Sequence, residues 1–203
     1  MYDEIDVVAE EVRRCIKCPL HQFRKNAVPG EGNSNATIMF VGEAPGYYED
    51  VQGRPFVGAA GKLLTELIEN VLELPRPSVF ITNVVKCRPP ENRDPRPDEI
   101  DACSSYLDRQ IRLIKPKIVV TLGKHSTGYL LGKAGIKIRG ITEVRGKIFS
   151  LFLFESLLNI MPTLHPAAAL YNPQLKAQIE EDFRRIKNFV NTSFWCNRLN
   201  FDS

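Results

Sequence analysis

Glu43, Glu49, Asp50 and Phe56 crowd into VGEAPGYYEDVQGRPFVG, residues 41–58, directly after the apolar run TIMFVG. Carboxylates set beside Pro45, Gly46 and Gly53 at the end of a strand are placed for a ligand more than for a core. Two further residues have the same character. Asn83 interrupts the apolar run ITNVV, and His165 stands before Pro166 in TLHPAAALYNP. Each residue type brings its own chemistry. A carboxylate can accept a proton from water or favour a developing cation. A carboxamide carries a donor and an acceptor side by side, which suits bidentate reading of a base edge. An imidazole N–H can stabilise a developing oxyanion. A ring in a polar loop can stack on a planar ligand. Each also has a plainer reading: solvated loop acids, a turn asparagine, a structural histidine and a core plug.

The cysteines form a second constellation. Cys15 and Cys18 make a Cys-x-x-Cys pair, and Cys87 and Cys103 lie far downstream. Four thiolates in a reducing compartment suit zinc or an iron–sulfur cluster, and spacing alone leaves both open. The plain alternative is four buried free thiols. Cys196, in the polar segment NTSFWCNRLNFDS, reads as a spare thiol. An odd total of five, with no export signal in MYDEID, argues against a disulfide framework.

The elements that must hold these residues follow from periodicity. Short apolar runs at 37–42, 78–85, 117–123 and 159–164 read as strands, the last demoted toward an edge or strand end by Pro162. Helical spacing appears over 3–14, 59–74, 97–114, 124–131 and 174–190, with Pro97 as a first-turn residue. The segment 88–97 holds four prolines and reads as a loop, while 136–154 is β-rich without a clear partner. Strand and helix alternate, which predicts a parallel sheet covered on both faces. Ligands of such sheets sit beyond the carboxyl ends of the strands, where the stretches after Val41, around Asn83 and around His165 converge.

At 203 residues the chain is expected to form a single domain over 1–203, with a polar tail from about 191. Its composition, 43% apolar and 25% charged, is ordinary for a soluble protein, and no apolar run approaches a bilayer span. A cytoplasmic monomer is expected. The net charge of +3 is weak evidence for nucleic acid. GYLLGKA at 128–134 is one residue short of a phosphate-binding loop and lacks the following Ser or Thr.

GEAPG at 42–46, Glu49-Asp50, GRPFVGAAGKLL, ITNVVKCRPPENRDPRPDE and HPAA at 165–168 together closely resemble the family 4, iron–sulfur-containing uracil-DNA glycosylases. The resemblance spans Cys15 to about Pro173. It implies an α/β fold, a three-layer α/β/α sandwich around a central four-stranded parallel sheet. It implies a monofunctional enzyme of base excision repair that releases uracil from DNA, single- or double-stranded, and leaves an abasic site. Cys15, Cys18, Cys87 and Cys103 would hold a 4Fe–4S cluster. Gly42, Glu43 and Gly46 would shape the pocket and place the attacking water, Phe56 would stack on the flipped base, and Asn83 would bond the uracil edge. Glu49 would crowd out thymine's methyl group, and His165 would donate to uracil O2. Glu43 is the candidate for activating water. Lys86, Arg88, Arg93 and Arg96 would lie near the DNA backbone. A sliding clamp is a candidate partner.

Two departures from the family stand out. The leucine that often follows the histidine by four residues, and fills the gap left by the flipped base, is Ala169 here. The arginine that often precedes Asn-Pro is Tyr171. Leu170 or Tyr171 is left to fill the stack. A mismatch or deaminated-purine glycosylase, and an iron–sulfur DNA-binding module without catalysis, are the competing functions. Asn83 argues against the first and His165 against the second.

Overall fold

The computed structural model describes the backbone of residues 4–198 and the side chains through Thr192. Among these, six strands make one sheet: β1 (Glu31–Gly32), β2 (Ile38–Gly42), β3 (Phe80–Asn83), β4 (Ile118–Leu122), β5 (Phe149–Leu153) and β6 (Ser156–Thr163). Their spatial order is β1-β3-β2-β4-β6-β5. The inner four, β3-β2-β4-β6, are parallel, as the alternation of strand and helix predicts. The two edges are antiparallel additions that periodicity did not reveal.

Alternate residues of the buried strands feed two cores. Met39, Val41 and Val119 pack with Val8, Val12, Leu107, Ile111 and Leu130, from α1 (Ile5–Arg14), α4 (Pro97–Ile114) and α5 (Lys124–Gly132). Ile38, Phe40 and Val120 pack with Leu64, Leu67, Ile179 and Phe183, from α3 (Ala59–Asn70) and α7 (Pro173–Arg198). Burial on both faces is why these strands read as continuous apolar runs. The result is the three-layer sandwich. Phe40 and Phe183 stack across it with ring centroids 5.5 Å apart.

The β-rich segment after Ile136 resolves into a hairpin. Leu153 pairs with Ser156, and the two turn residues, Phe154 (φ 54°) and Glu155 (φ 65°), are both left-handed. A two-residue turn needs that twist to match its strands. Pro162 lies inside β6 opposite Thr121, but pairing with β5 stops at Ile160, so its missing N–H leaves no partner wanting. Two short helices were not read from sequence: α2 (Tyr47–Gln52) and α6 (Pro166–Ala169). α7 continues to Arg198, past position 191 where the polar tail was expected to begin. The side chain of Cys196 lies outside the described residues.

Candidate active site

Three of the four parallel strands, β2, β3 and β6, end at one cavity of about 380 Å³, lined by Glu43, Gly46, Glu49, Phe56, Asn83 and His165 among others. Six residues separated by up to 122 positions in the chain are thus gathered by the common direction of the strands and by the segment that follows β2. Gly42, the last residue of β2, lies against two of these side chains. A β-carbon there would lie 2.3 Å from Asn83 Oδ1 and 2.7 Å from the Phe56 ring, so only glycine lets both side chains lie over the strand end.

Phe56 is buried and takes a left-handed backbone, φ 51°. Its loop is held from three sides. Glu49 Oε1 accepts from the N–H groups of Val57 (2.8 Å) and Gly58 (2.9 Å). Arg76 Nη2 donates to the Pro55 carbonyl at 2.7 Å. Gly61 of α3 lies so close that a β-carbon would sit 1.9 Å from the Phe56 carbonyl oxygen. One oxygen of Glu49 is therefore spent on anchoring the loop, while the other lies over Gly46, where a β-carbon would meet it at 2.8 Å. Asp50 does not join the site. It is buried, with Oδ1 accepting from the N–H of Lys25 at 2.9 Å.

Asn83 is 2% exposed, and its Oδ1 is the one buried side-chain polar atom without a hydrogen-bond partner among the described residues. Buried amides are nearly always satisfied, so this oxygen marks a place where a ligand's donor belongs. His165 faces the same space, its ring centroid 5.8 Å from that of Phe56 at a 32° tilt. Gly123, with φ 92°, lets β4 end 3.1 Å from the histidine's Cβ. His165 Nδ1 accepts from the Ala167 N–H at 3.1 Å. Burial depresses its pKa to about 4, against a small opposing pull from Glu49. A neutral ring with Nδ1 accepting must carry its proton on Nε2, as a donor.

Glu43 is held above the usual carboxylate range, first by burial and also by Asp94, with His125 opposing. Neither Asp94 nor His125 was singled out from sequence. His125 Nε2 lies 3.3 Å from Asp94 Oδ2 and 3.9 Å from Glu43 Oε2. His125 sits in the first turn of α5, directly after β4, so the strand-end rule that located the other residues also covers it.

The loop between β3 and α4 corrects one expectation. Lys86 does not face a DNA backbone: it is 1% exposed, and burial lowers its pKa to about 7. Arg93 is engaged in a two-point bond to Glu99, Nη1 to Oε2 at 2.8 Å and Nη2 to Oε1 at 2.6 Å. Arg88 lies 5.2 Å over the ring of the exposed Tyr47.

On the far side of Lys86, all four predicted cysteines line one small cavity with Arg24 and Tyr106. Three sulfurs receive N–H donors: Cys87 from Arg24 Nη1 at 3.0 Å, Cys103 from the Lys86 N–H at 3.2 Å, and Cys15 from the Lys17 N–H at 3.5 Å. Burial pushes the Cys103 thiol up to about 12 and also raises Cys18 and Cys87.

A strand-end pocket with an aromatic ring, an unpartnered buried amide oxygen and an imidazole, built on a three-layer α/β sandwich, defines an α/β protein with a site for a small planar ligand. Residues 29–187 match the family model of the uracil DNA glycosylase superfamily. The chain is 58% identical over 190 residues to the type-4 uracil-DNA glycosylase of Saccharolobus solfataricus, covering 94% of this chain and 88% of that one. It is 60% identical over 190 residues to the type-4 enzyme of Sulfurisphaera tokodaii, covering 94% and 86%. With the type-4 enzyme of Thermotoga maritima it shares 43% over 188 residues, covering 92% and 94%. The chain belongs to the uracil-DNA glycosylase superfamily, in its type-4 group.

Proposed function

We propose that the protein hydrolyses the N-glycosidic bond of deoxyuridine in DNA, releasing uracil and leaving an abasic site. The observation that carries this is the unpartnered, buried Oδ1 of Asn83, which shares the space over Gly42 with the Phe56 ring. Uracil offers an N3–H donor to that oxygen and an O4 acceptor to Nδ2. Cytosine presents an acceptor at N3 and an amino group at C4, so it would leave both ends of the amide opposed. Phe56 supplies the stacking face that a base leaving the helix loses.

Bond cleavage moves negative charge onto the departing uracil and leaves cationic character on the sugar. His165 Nε2–H donates to O2, and its bond strengthens as that charge builds. Neutral imidazole is the suitable form, because it donates without having to be charged at working pH. Glu43 is the group that orients water and accepts its proton, and its raised pKa makes it a better base than an exposed carboxylate.

Tyr171 fills the stack. Ala169 is buried and Leu170 packs against the second core, whereas Tyr171 is 95% exposed. The residue that follows it is held. The Asn172 N–H donates to Ala169 O at 3.3 Å, and Asn172 Oδ1 caps α7 by accepting from Gln174 N at 3.0 Å. An exposed ring six residues from His165, on a turn bonded at the next residue, is suited to wedging between base pairs.

The four cysteines hold a 4Fe–4S cluster in this reading. Among the described residues, the set of three ligand atoms within 4.8 Å of one another is Glu43, Asp94 and His125, with no three of the cysteines. A zinc tetrathiolate needs sulfur–sulfur edges of roughly 3.8 Å from Zn–S bonds of ~2.3 Å, so the wider set favours a larger centre. The N–H donors on its sulfurs are those that such clusters use. When bound, the cluster supplies a tie between the α1 end, the β3–α4 loop and α4.

The test is incubation with a uracil-containing oligonucleotide followed by alkali. Strand scission at the uracil, with uracil released, is expected; intact strands overturn the reading.

A further inference from the structure

Lys86 places its side-chain nitrogen where the reaction above does not use it. No ion pair to it occurs among the described residues. Its nitrogen bonds three neutral oxygens: Thr82 Oγ1 at 2.6 Å, the Asn83 main-chain carbonyl at 2.7 Å and Gln110 Oε1 at 2.7 Å. Those acceptors are themselves fixed. Thr82 Oγ1 donates to Pro29 O at 3.0 Å, and Gln110 Nε2 donates to the same carbonyl at 2.7 Å. A buried amine is costly unless its hydrogen bonds are met, and an apolar side chain of this length would fill the same space. What the amine provides, and an apolar chain cannot, is a link that ties the carbonyl of the last residue of β3 to Thr82 and to Gln110 of α4.

That residue is the base reader. Asn83 gets no orientation from its own side-chain oxygen, which has no protein partner. Its setting depends on the main chain beneath it. There the strand is already leaving the sheet: Val84 N bonds Gly42 O at 3.0 Å and Val85 N bonds Glu43 O at 2.9 Å, and Lys86 closes back onto Asn83. The main chain of Lys86 faces the other way. Its N–H donates to Cys103 Sγ at 3.2 Å and its carbonyl accepts from Val28 N at 2.7 Å. One residue thus grips the cysteine site with its backbone and the base reader with its side chain.

We propose that Lys86 is a positioning residue for base reading, holding the main chain of Asn83 so that the carboxamide meets the base in one orientation, and tying that orientation to the four-cysteine site. This rests on the assignment of Asn83 to uracil.

The test is a double-mutant cycle of Lys86→Met and Asn83→Ala, read by single-turnover cleavage of uracil- and cytosine-containing strands. Visible absorbance and metal content of each variant serve as a second readout. Lys86→Met alone should slow uracil release about tenfold or more, the loss carried by one hydrogen bond, and should narrow the uracil-to-cytosine ratio. In the Asn83→Ala background the same change should cost less than about twofold, because its route of action is gone. Equal slowing in both backgrounds, or none in either, overturns the proposal. So does loss of bound metal as the sole cause of slowing. If Lys86→Met yields no folded protein, Gln110→Leu loosens the link from its other side and must show the same pattern. Failure of the wild-type protein to release uracil would instead overturn the proposed function.

Discussion

The Ala167 N–H points at His165 Nδ1, 3.1 Å away, and this one bond decides where the imidazole proton sits. With Nδ1 accepting and the ring neutral, Nε2 carries the hydrogen toward the pocket. His165→Ala should lower single-turnover cleavage by on the order of 10²–10³-fold, as loss of an oxyanion donor does. Binding to uracil-containing DNA should fall far less, since Phe56 and Asn83 still hold the base. Wild-type cleavage by folded His165→Ala protein would make the histidine structural.

The same histidine sets a pH dependence of stability. Its pKa is lowered from 6.5 to about 4, so the folded state resists a proton that the unfolded chain accepts. Its stabilising contribution is complete above pH 6.5 and is lost as pH falls toward 4. Denaturant midpoints measured from pH 7 to 4 should fall less steeply in His165→Gln than in the parent. Parallel curves would show that the ring is not held neutral.

Asn83→Ala should weaken uracil-to-cytosine discrimination as well as the rate, which His165→Ala should not. Competition between uracil and cytosine strands measures the ratio. An unchanged ratio would move base reading elsewhere in the pocket.

The purified protein should be brown, and Cys87→Ser should bleach it and lower its melting temperature together. Cys87 is buried and bonded by Arg24 at 3.0 Å, so its loss affects both the centre and the packing around it. A colourless parent carrying one zinc per chain would retain the four-thiolate site and remove the iron.

Tyr171→Ala should slow cleavage of uracil in a duplex by about tenfold, with little effect on a single strand, where no stack needs filling. Tyr171→Leu should restore most of the loss. Equal slowing on both substrates would mean that the ring does not act as a wedge.

Of the fold, the parts read from sequence are those that local pattern controls. The inner strands showed themselves as β-branched apolar runs because helices bury them on both faces, and Pro97 marked the start of α4 at the residue where the helix begins. The edge strands did not show. β1 is two residues long, and β5 alternates half-buried with exposed positions and takes its pairing from a two-residue turn whose residues carry no glycine or asparagine signal. α6, at four residues, is too short to display a period.

The site divides the same way. Residue type and strand-end position by themselves singled out Glu43, Asn83, Phe56 and His165, which line one cavity, spacing singled out the four cysteines, which line another, and motif order determined the family. What only the tertiary structure decided was how each group is used. Sequence placed Lys86 on a basic loop facing DNA, yet its side chain turns inward just after β3, where three oxygens from Thr82, Asn83 and Gln110 receive it. Glu49 and Asp50 are adjacent acids in the sequence. One lines the pocket while holding the Phe56 loop, and the other is buried against the loop at Lys25. Asp94 and His125, 31 positions apart, meet Glu43 only because β2 and β4 run in the same direction and end together. A hydrogen bond or a buried charge depends on what lies within a few ångströms, and the partners here come from distant segments. Local pattern records which residues can do chemistry, and the packing of the chain sets their partners and protonation.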